Sequence, residues 1–191
     1  MAKFRSLYLG ASELASRTSE LFWLDVYTWQ TVFGISAGDV LDSIRDLEDG
    51  ELKSIVKPAT QFMKPPLKGL WHKHVFSARF IPKNISSALG KHGVRKIVTD
   101  VVGTDGSLFT LEKAADLADR LINQSFEKRA TANALTGEWI IYLQYKAKNY
   151  YLCCGVHNDE DQYIYDRIVE HCVRDFPWLS AWLKSSTEFM K

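Results

Sequence analysis

Two histidines separated by one residue are the side chains in this chain that most directly suggest chemistry. His72 and His74 lie within LKGLWHKHVFSARF, residues 67–80. On a β-strand alternate side chains project from the same face, so the two imidazoles would lie side by side. They could act as an acid and a base near neutral pH, or as two ligands of a zinc ion. The alternative is that both are ordinary surface residues of a basic strand.

A zinc site would need further ligands besides this pair, because zinc binds three or four protein side chains. The chain offers His157 with Glu138 or the acidic residues 159–161, and none of these occurs at a spacing typical of metal sites. We therefore favour acid–base chemistry over metal binding, and we predict neither a metal ion nor a cofactor.

A glutamate and a third histidine bracket a predicted β-hairpin. Apolar residues alternate over 139–145 and again over 150–156, which predicts two strands joined by the four-residue loop Lys-Ala-Lys-Asn. This register places Glu138 directly opposite His157 on the face away from the predicted core. A carboxylate beside an imidazole raises the pKa of the imidazole and fixes its tautomer, as a general acid or base requires. Glu–His pairs are also common across strands without any catalytic role.

Cationic and aromatic side chains near these groups suggest a nucleic-acid surface. If the histidine strand adjoins the hairpin, the three histidines and Glu138 would line one basic groove. One group there could deprotonate a ribose 2′-hydroxyl while another protonates the leaving 5′-oxygen, which would cleave RNA without a metal ion. The residues predicted to contact phosphate or to stack on bases are Lys68, Trp71, Lys73, Arg79, Tyr142 and Tyr151.

Charge is distributed unevenly along the chain, although the formal net charge is only +1. No acidic residue occurs between Glu51 and Asp100, and this interval contains ten basic residues. They are Lys53, Lys57, Lys64, Lys68, Lys73, Arg79, Lys83, Lys91, Arg95 and Lys96. We predict a positive surface that attracts RNA, another phosphate-bearing ligand or an acidic protein. The alternative is that acidic residues of the flanking segments fold over it and neutralise it.

The order of the predicted elements indicates an α+β fold in a single domain, residues 1–191. Residues 1–50 form a helical N-terminal part, and residues 51–191 contain the basic segment and everything that follows. The predicted elements are helices at 11–34 and 37–49, a strand near 69–80, a long helix at 110–135, a hairpin at 138–157 and a C-terminal helix at 159–176. The strand and the hairpin would form a small antiparallel sheet.

Composition and length are those of an ordinary globular protein. A chain of 191 residues with 46% hydrophobic residues can bury a substantial core. No apolar run approaches the about 18 residues of a membrane span, and the first residues lack the apolar core of a signal peptide. We therefore expect a cytoplasmic protein with no membrane partner. Three cysteines at positions 153, 154 and 172 fit neither a disulfide framework nor a CxxC motif, so we expect reduced core thiols.

The predicted layout resembles that of metal-independent ribonuclease toxins, in which helices precede a small antiparallel sheet that carries histidine, glutamate and basic residues. The resemblance covers mainly residues 68–157. It contains no motif that matches residue by residue, so it assigns no site residue. The function that we predict is nucleic-acid binding or processing, with RNA cleavage by acid–base catalysis. The alternative is a non-catalytic inhibitor, immunity or adaptor module that docks an acidic partner through its basic surface.

Overall fold

The computed structural model describes residues 1–50, 56–104, 108–125, 127, 131, 138–156 and 158–188. Within these residues the fold is α+β, as predicted, with a small antiparallel sheet between two groups of helices. The helices are α1 (Ala2–Leu9), α2 (Glu20–Val32), α3 (Ala37–Glu48), α4 (Ile81–Val102), α5 (Leu111–Ala118), α6 (Asp161–Arg167), α7 (Val173–Asp175) and α8 (Leu179–Glu188). The strands, in their order across the sheet, are β1 (Thr60–Gln61), β2 (Trp71–His74), β3 (Trp139–Tyr145) and β4 (Lys148–Gly155). None of the described helices has the length and apolar character needed to cross a membrane.

Helix α2 is attached to the sheet through Ser19, the residue that precedes it. The Ser19 hydroxyl accepts a hydrogen bond from the backbone N–H of Phe22 at 2.9 Å, which caps the helix. The same hydroxyl donates to the backbone carbonyl of Leu152 in β4 at 2.5 Å. Helix α1, which the sequence pattern did not predict, packs on the outer side of α2 through Phe4, whose ring lies 5.8 Å from Trp23. The helical N-terminal part is therefore fixed to β4 from the start of α2.

The sheet is buried on both faces. Ile140 and Tyr142 belong to one hydrophobic cluster with α2 and α3, whereas Ile141 and Leu143 belong to a second cluster with the C-terminal helices. Alternate residues of a strand point to opposite faces, so β3 contributes to both clusters. The expectation of one core face and one polar face is therefore wrong. A fully buried strand reads as a continuous apolar run, as residues 139–143 do.

The hairpin register differs from the predicted one because its turn is tighter. Only Lys146 and Ala147 lie between the paired ends of β3 and β4, and both have positive φ angles, 49° and 60°. Two left-handed residues form the turn whose twist matches a two-residue hairpin. The tighter turn moves the pairing by two residues, and a bulge at Leu152 then moves it back by one, so Trp139 is one residue away from its predicted partner. The carbonyl of Leu152 accepts hydrogen bonds from Ser19 and from the thiol of Cys172, at 2.5 and 3.3 Å.

The predicted long central helix is only partly described. Thr110 caps α5, because its hydroxyl accepts a hydrogen bond from the backbone N–H of Lys113 at 3.3 Å. After α5 the chain continues through a wider π-type turn, Asp119–Gln124. Most of the remaining residues to 135 lie outside the described part. Helix α4 contains Gly90 at φ 68°, a left-handed conformation that divides it into two segments.

Candidate functional site

The two histidines of β2 lie side by side, as predicted for alternate residues of a strand. Their ring centroids are 5.7 Å apart, and the ring of Trp139 lies 5.0 Å from His72. His72 also contacts the ring of Phe62 at 4.7 Å. His74 is 6% exposed, whereas His72 is half-buried. The pair is therefore packed among aromatic rings, and His72 is the more accessible of the two.

The lysine between the histidines lies on the opposite face of the sheet. Lys73 is fully buried, and its Nζ donates a hydrogen bond to the backbone carbonyl of Lys57 at 3.3 Å. Its partner in the register of β2 and β3 is Ile140, which belongs to the cluster under α2 and α3. The expectation that Lys73 is exposed beside the histidines is wrong, because adjacent strand residues point to opposite faces.

Two of the three aromatic side chains expected to stack on bases are in the core. Tyr142 is 1% exposed and Tyr151 is 0% exposed, and their rings are 5.9 Å apart. Trp71 is half-buried and stacks on Tyr142 with 6.4 Å between ring centroids. The expectation that Tyr142 and Tyr151 are accessible to a base is wrong, because α2 and α3 cover this face of the sheet.

The predicted pairing of Glu138 with His157 depended on a hairpin register that differs from the observed one. Trp139 pairs with Gly155, and not with Val156 as the four-residue loop would require. Glu138 is half-buried, and its backbone carbonyl accepts a hydrogen bond from the N–H of Val75 at 2.8 Å. His157 lies outside the described residues. The catalytic roles of both residues remain predictions.

The basic segment, residues 52–99, carries most of its described cations on the surface. Seven of them are exposed: Lys57, Lys64, Lys68, Arg79, Lys83, Arg95 and Lys96. None of these seven cations forms an ion pair with a carboxylate of the described residues. The structure therefore gives no support, within its described residues, to the alternative that acidic flanks neutralise this surface.

A cleft of about 250 Å³ lies between α2, the end of β4 and α6. Its wall contains an ion pair between the buried Asp25 and the half-buried Arg167. Asp25 also accepts a hydrogen bond from the backbone N–H of Cys154 at 2.9 Å, so both of its carboxylate oxygens have partners. Burial raises the pKa of Asp25 above its usual 3.8, although Arg167 and the Cys154 N–H act in the opposite direction. We refer to this site as the α2–β4–α6 cleft.

Two exposed aromatic rings flank the mouth of the α2–β4–α6 cleft, and each is covered by an arginine. Phe33 is 45% exposed and Tyr163 is 55% exposed. The guanidinium of Arg79 lies 5.6 Å from the centre of the Phe33 ring, and that of Arg167 lies 5.5 Å from the Tyr163 ring. Arg79 also donates a hydrogen bond to the backbone carbonyl of Phe33. The basic segment thus meets the cleft at Arg79, one of the residues predicted to bind nucleic acid.

The α2–β4–α6 cleft and the histidines lie at the same end of the sheet. His74 pairs with Trp139, and Trp139 pairs with Gly155, which lines the cleft. Neighbouring strands are about 4.8 Å apart, so the backbones of His74 and Gly155, two strands apart, are separated by about 10 Å across the sheet.

Sequence reasoning missed Phe33, Tyr163 and the pair of Asp25 with Arg167. One signal was present, because Tyr163 and Arg167 are four residues apart in a predicted helix and such residues are neighbours on a helix surface. No local sequence pattern indicates the ion pair of Asp25 with Arg167, since these residues are 142 positions apart. The remaining sequence-predicted residue, Lys68, is exposed in the loop before β2.

Comparisons with known proteins leave the family of this chain open. No family model, no curated protein and no solved structure matches it. Within the described residues, no three histidine, cysteine or acidic side chains are grouped so that they could hold a metal ion. The three cysteines are buried free thiols, as expected, and burial raises the pKa of each. Function must therefore be argued from the exposed cations, the histidine pair and the cleft.

Proposed function

We propose that this protein binds single-stranded RNA along the basic segment, with bases reaching the α2–β4–α6 cleft. The observation that carries the proposal is the exposure of seven cations that have no ion-pair partner among the described carboxylates. Lysine and arginine side chains neutralise phosphates and release counterions, which supplies most of the affinity for a nucleic acid. An ion-paired cation contributes less to this affinity, because it must first break its contact with the carboxylate.

The aromatic residues of the cleft favour a single strand over a duplex. A duplex keeps its bases stacked on each other, whereas a single strand can place unstacked bases on exposed rings. Phe33 and Tyr163 are exposed beside cations, and an arginine plane over an aromatic ring adds to the stacking surface. The proposed ligand is therefore a flexible strand whose phosphates meet the basic segment and whose bases meet Phe33 and Tyr163.

The experiment measures binding of fluorescent single-stranded RNA by anisotropy over a range of salt concentrations. We expect the logarithm of the affinity to fall linearly with the logarithm of salt concentration, and duplex RNA of the same sequence to bind more weakly. Phe33→Ala and Tyr163→Ala should each weaken binding about 5- to 150-fold, because one stacked base contributes about 1–3 kcal/mol.

The matched control is Tyr27→Ala. Tyr27 is an exposed aromatic residue of α2, but its ring packs against Phe4 and does not line the cleft. Its removal should leave RNA affinity unchanged. The proposal fails if RNA does not bind at low salt, or if heparin and RNA bind equally well and the two cleft variants have no effect.

Metal-independent RNA cleavage is the second candidate function, and the contact between the His72 and His74 rings favours it. Either imidazole could take the proton of a ribose 2′-hydroxyl while another group returns a proton to the leaving 5′-oxygen. The same RNA incubated in EDTA and run on a denaturing gel gives the readout. Cleavage that disappears in His72→Ala, with RNA binding retained, would support this activity.

An acidic protein partner remains the alternative use of the basic surface. Its binding would also weaken with salt, but it would not need Phe33 or Tyr163 to be exposed beside a cleft. Failure of the RNA experiment at low salt would favour this alternative, because phosphate contacts are strongest there.

A further inference from the structure

We infer that the α2–β4–α6 cleft holds one unpaired base and selects guanine through the carboxylate of Asp159. This inference rests on the proposed RNA binding and names the base that the cleft takes. The volume of the cleft, about 250 Å³, lies below the about 300–1,000 Å³ of pockets for drug-sized ligands. A single base is a ligand of the size that such a space can accommodate.

Stacking alone would not select among bases, because every base has a π-face. The rings of Phe33 and Tyr163 at the mouth, and the nearly buried Trp29 deeper in the cleft, therefore provide affinity without sequence preference. Selection has to come from a polar group that reaches the edge of the base, as in other sequence-specific sites for single-stranded RNA.

Among the polar side chains that line the cleft, Asp159 has a free acceptor position. Its Oδ2 accepts a hydrogen bond from the backbone N–H of Val156 at 2.9 Å, and its Oδ1 has no partner among the described residues. Asp25, in contrast, uses both oxygens for Arg167 and Cys154. A carboxylate accepts only, so Asp159 favours a ligand edge that carries N–H donors.

Guanine is the base that presents two adjacent donors, N1–H and the N2 amino group, on its Watson–Crick edge. One carboxylate can accept both hydrogen bonds, because each oxygen has two lone pairs and Oδ2 uses only one of them for Val156. Adenine and cytosine offer one amino group beside an acceptor nitrogen, which leaves one carboxylate oxygen facing a lone pair. Uracil presents carbonyl oxygens on both sides of its single N–H, which a carboxylate repels.

The experiment compares the affinities of the short RNAs UUGUU, UUAUU, UUCUU and UUUUU by anisotropy. We expect wild-type protein to bind UUGUU about tenfold more tightly than UUUUU, the scale of a bidentate contact to one base. In Asp159→Asn the amide oxygen can still accept from Val156, but an NH₂ donor replaces the second acceptor. The preference for UUGUU should therefore disappear in this variant, and UUUUU should bind at least as well as in the wild type.

The matched control is Asp166→Asn. Asp166 is an exposed carboxylate of α6 that accepts a hydrogen bond from Gln162 at 2.7 Å, and it does not line the cleft. This variant loses the same charge and should keep the preference for UUGUU. Equal affinity of wild-type protein for all four RNAs would overturn the guanine inference and leave RNA binding intact. A preference for UUGUU that survives Asp159→Asn would overturn it as well. Absence of binding to any RNA would overturn RNA binding itself.

Discussion

Two arginine–carboxylate pairs that involve the N-terminal helices, Arg17 with Glu48 and Arg167 with Asp25, differ in how completely their carboxylates are satisfied. Glu48 accepts hydrogen bonds from both terminal nitrogens of Arg17, at 2.9 and 2.6 Å, from the Tyr151 hydroxyl at 2.6 Å and from the Asn149 amide at 3.2 Å. Arg17 also donates to the backbone carbonyl of Asn149 at 2.9 Å. We refer to this group as the Arg17–Glu48 network.

The Asp25–Arg167 pair has fewer partners and lines the α2–β4–α6 cleft. Asp25 accepts from Arg167 and from one backbone N–H, and burial raises its pKa. Burial also acts to raise the pKa of Glu48, but the hydrogen bonds from Arg17, Tyr151 and Asn149 outweigh it and the net shift is downwards. Arg–carboxylate pairs of similar appearance therefore differ: the Glu48 carboxylate is satisfied within a network, whereas the Asp25 carboxylate lines the proposed ligand site.

Arg17→Met should cause the largest change, and that change should be in stability. The substitution removes the two charge-assisted hydrogen bonds from Arg17 to Glu48, while those from Tyr151 and Asn149 remain, and we expect it to cost about 2 kcal/mol in the free energy of unfolding. Urea unfolding followed by tryptophan fluorescence measures this loss. Below the unfolding transition, the RNA affinity of the variant should equal that of the wild type.

The corresponding change in the other pair is Arg167→Met. Because Arg167 lines the cleft and lies over Tyr163, this variant should lose both stability and RNA affinity. If Arg17→Met weakened RNA binding as strongly as Arg167→Met at equal folded fraction, the proposed division between a structural network and a ligand site would be wrong.

Much of the fold could be predicted because it follows from local patterns. The helices at Glu20–Val32 and Ala37–Glu48 have helical apolar spacing and serine caps, and the strands at Trp71–His74 and Trp139–Tyr145 are rich in aromatic and β-branched residues. The hairpin register was missed for two reasons. Positive φ angles at Lys146 and Ala147 are rare outside glycine and asparagine, and the bulge depends on partners in distant elements.

The candidate site was predictable only where it depended on one strand. The spacing of His72 and His74 was enough to place them on one face. Tyr142 lies in the apolar run 139–143, which is typical of a strand buried on both faces, but the run does not identify α2 and α3 as the helices that cover Tyr142 and Tyr151. The cleft depends on residues of α2, β4 and α6, so only the tertiary structure brings them together.

The two carboxylates should respond to pH in opposite directions, with an effect of about 1 kcal/mol for each unit of pKa shift. The folded pKa of Glu48 lies below its ordinary 4.5, so its ionised form contributes stability above pH 4.5 that is lost as pH falls through the folded pKa. The folded pKa of Asp25 lies above its ordinary 3.8, so its protonated form contributes stability below pH 3.8 that is lost as pH rises through the folded pKa.

Glu48→Gln and Asp25→Asn test this difference when their unfolding free energies are measured against wild type from neutral to acidic pH. The loss caused by Glu48→Gln should be greatest near neutral pH and should shrink in acid. Asp25→Asn should have nearly the wild-type unfolding free energy in acid, because the amide resembles the protonated carboxyl, and its stability relative to wild type should rise towards neutral pH. If the stability differences of both variants changed with pH in the same direction, the proposed opposite pKa shifts of Glu48 and Asp25 would be wrong.

The smallest changes should follow substitution of one exposed cation near each arginine–carboxylate pair. Arg79→Gln removes a charge at the rim of the α2–β4–α6 cleft that has no described carboxylate partner, and Lys148→Gln removes a charge that is already paired with Glu13 near the Arg17–Glu48 network. For Arg79→Gln we expect a several-fold loss of RNA affinity and a decrease of about 0.7 in the slope of log affinity against log salt, the value for one phosphate contact on a single strand. Lys148→Gln should change neither quantity, because an exposed ion pair contributes little and its cation is not on the proposed path of the RNA. Anisotropy titrations at several salt concentrations measure both slopes. Equal decreases of the salt slope in the two variants would mean that RNA affinity depends only on the total charge of the protein. The cleft would then have no special role in binding.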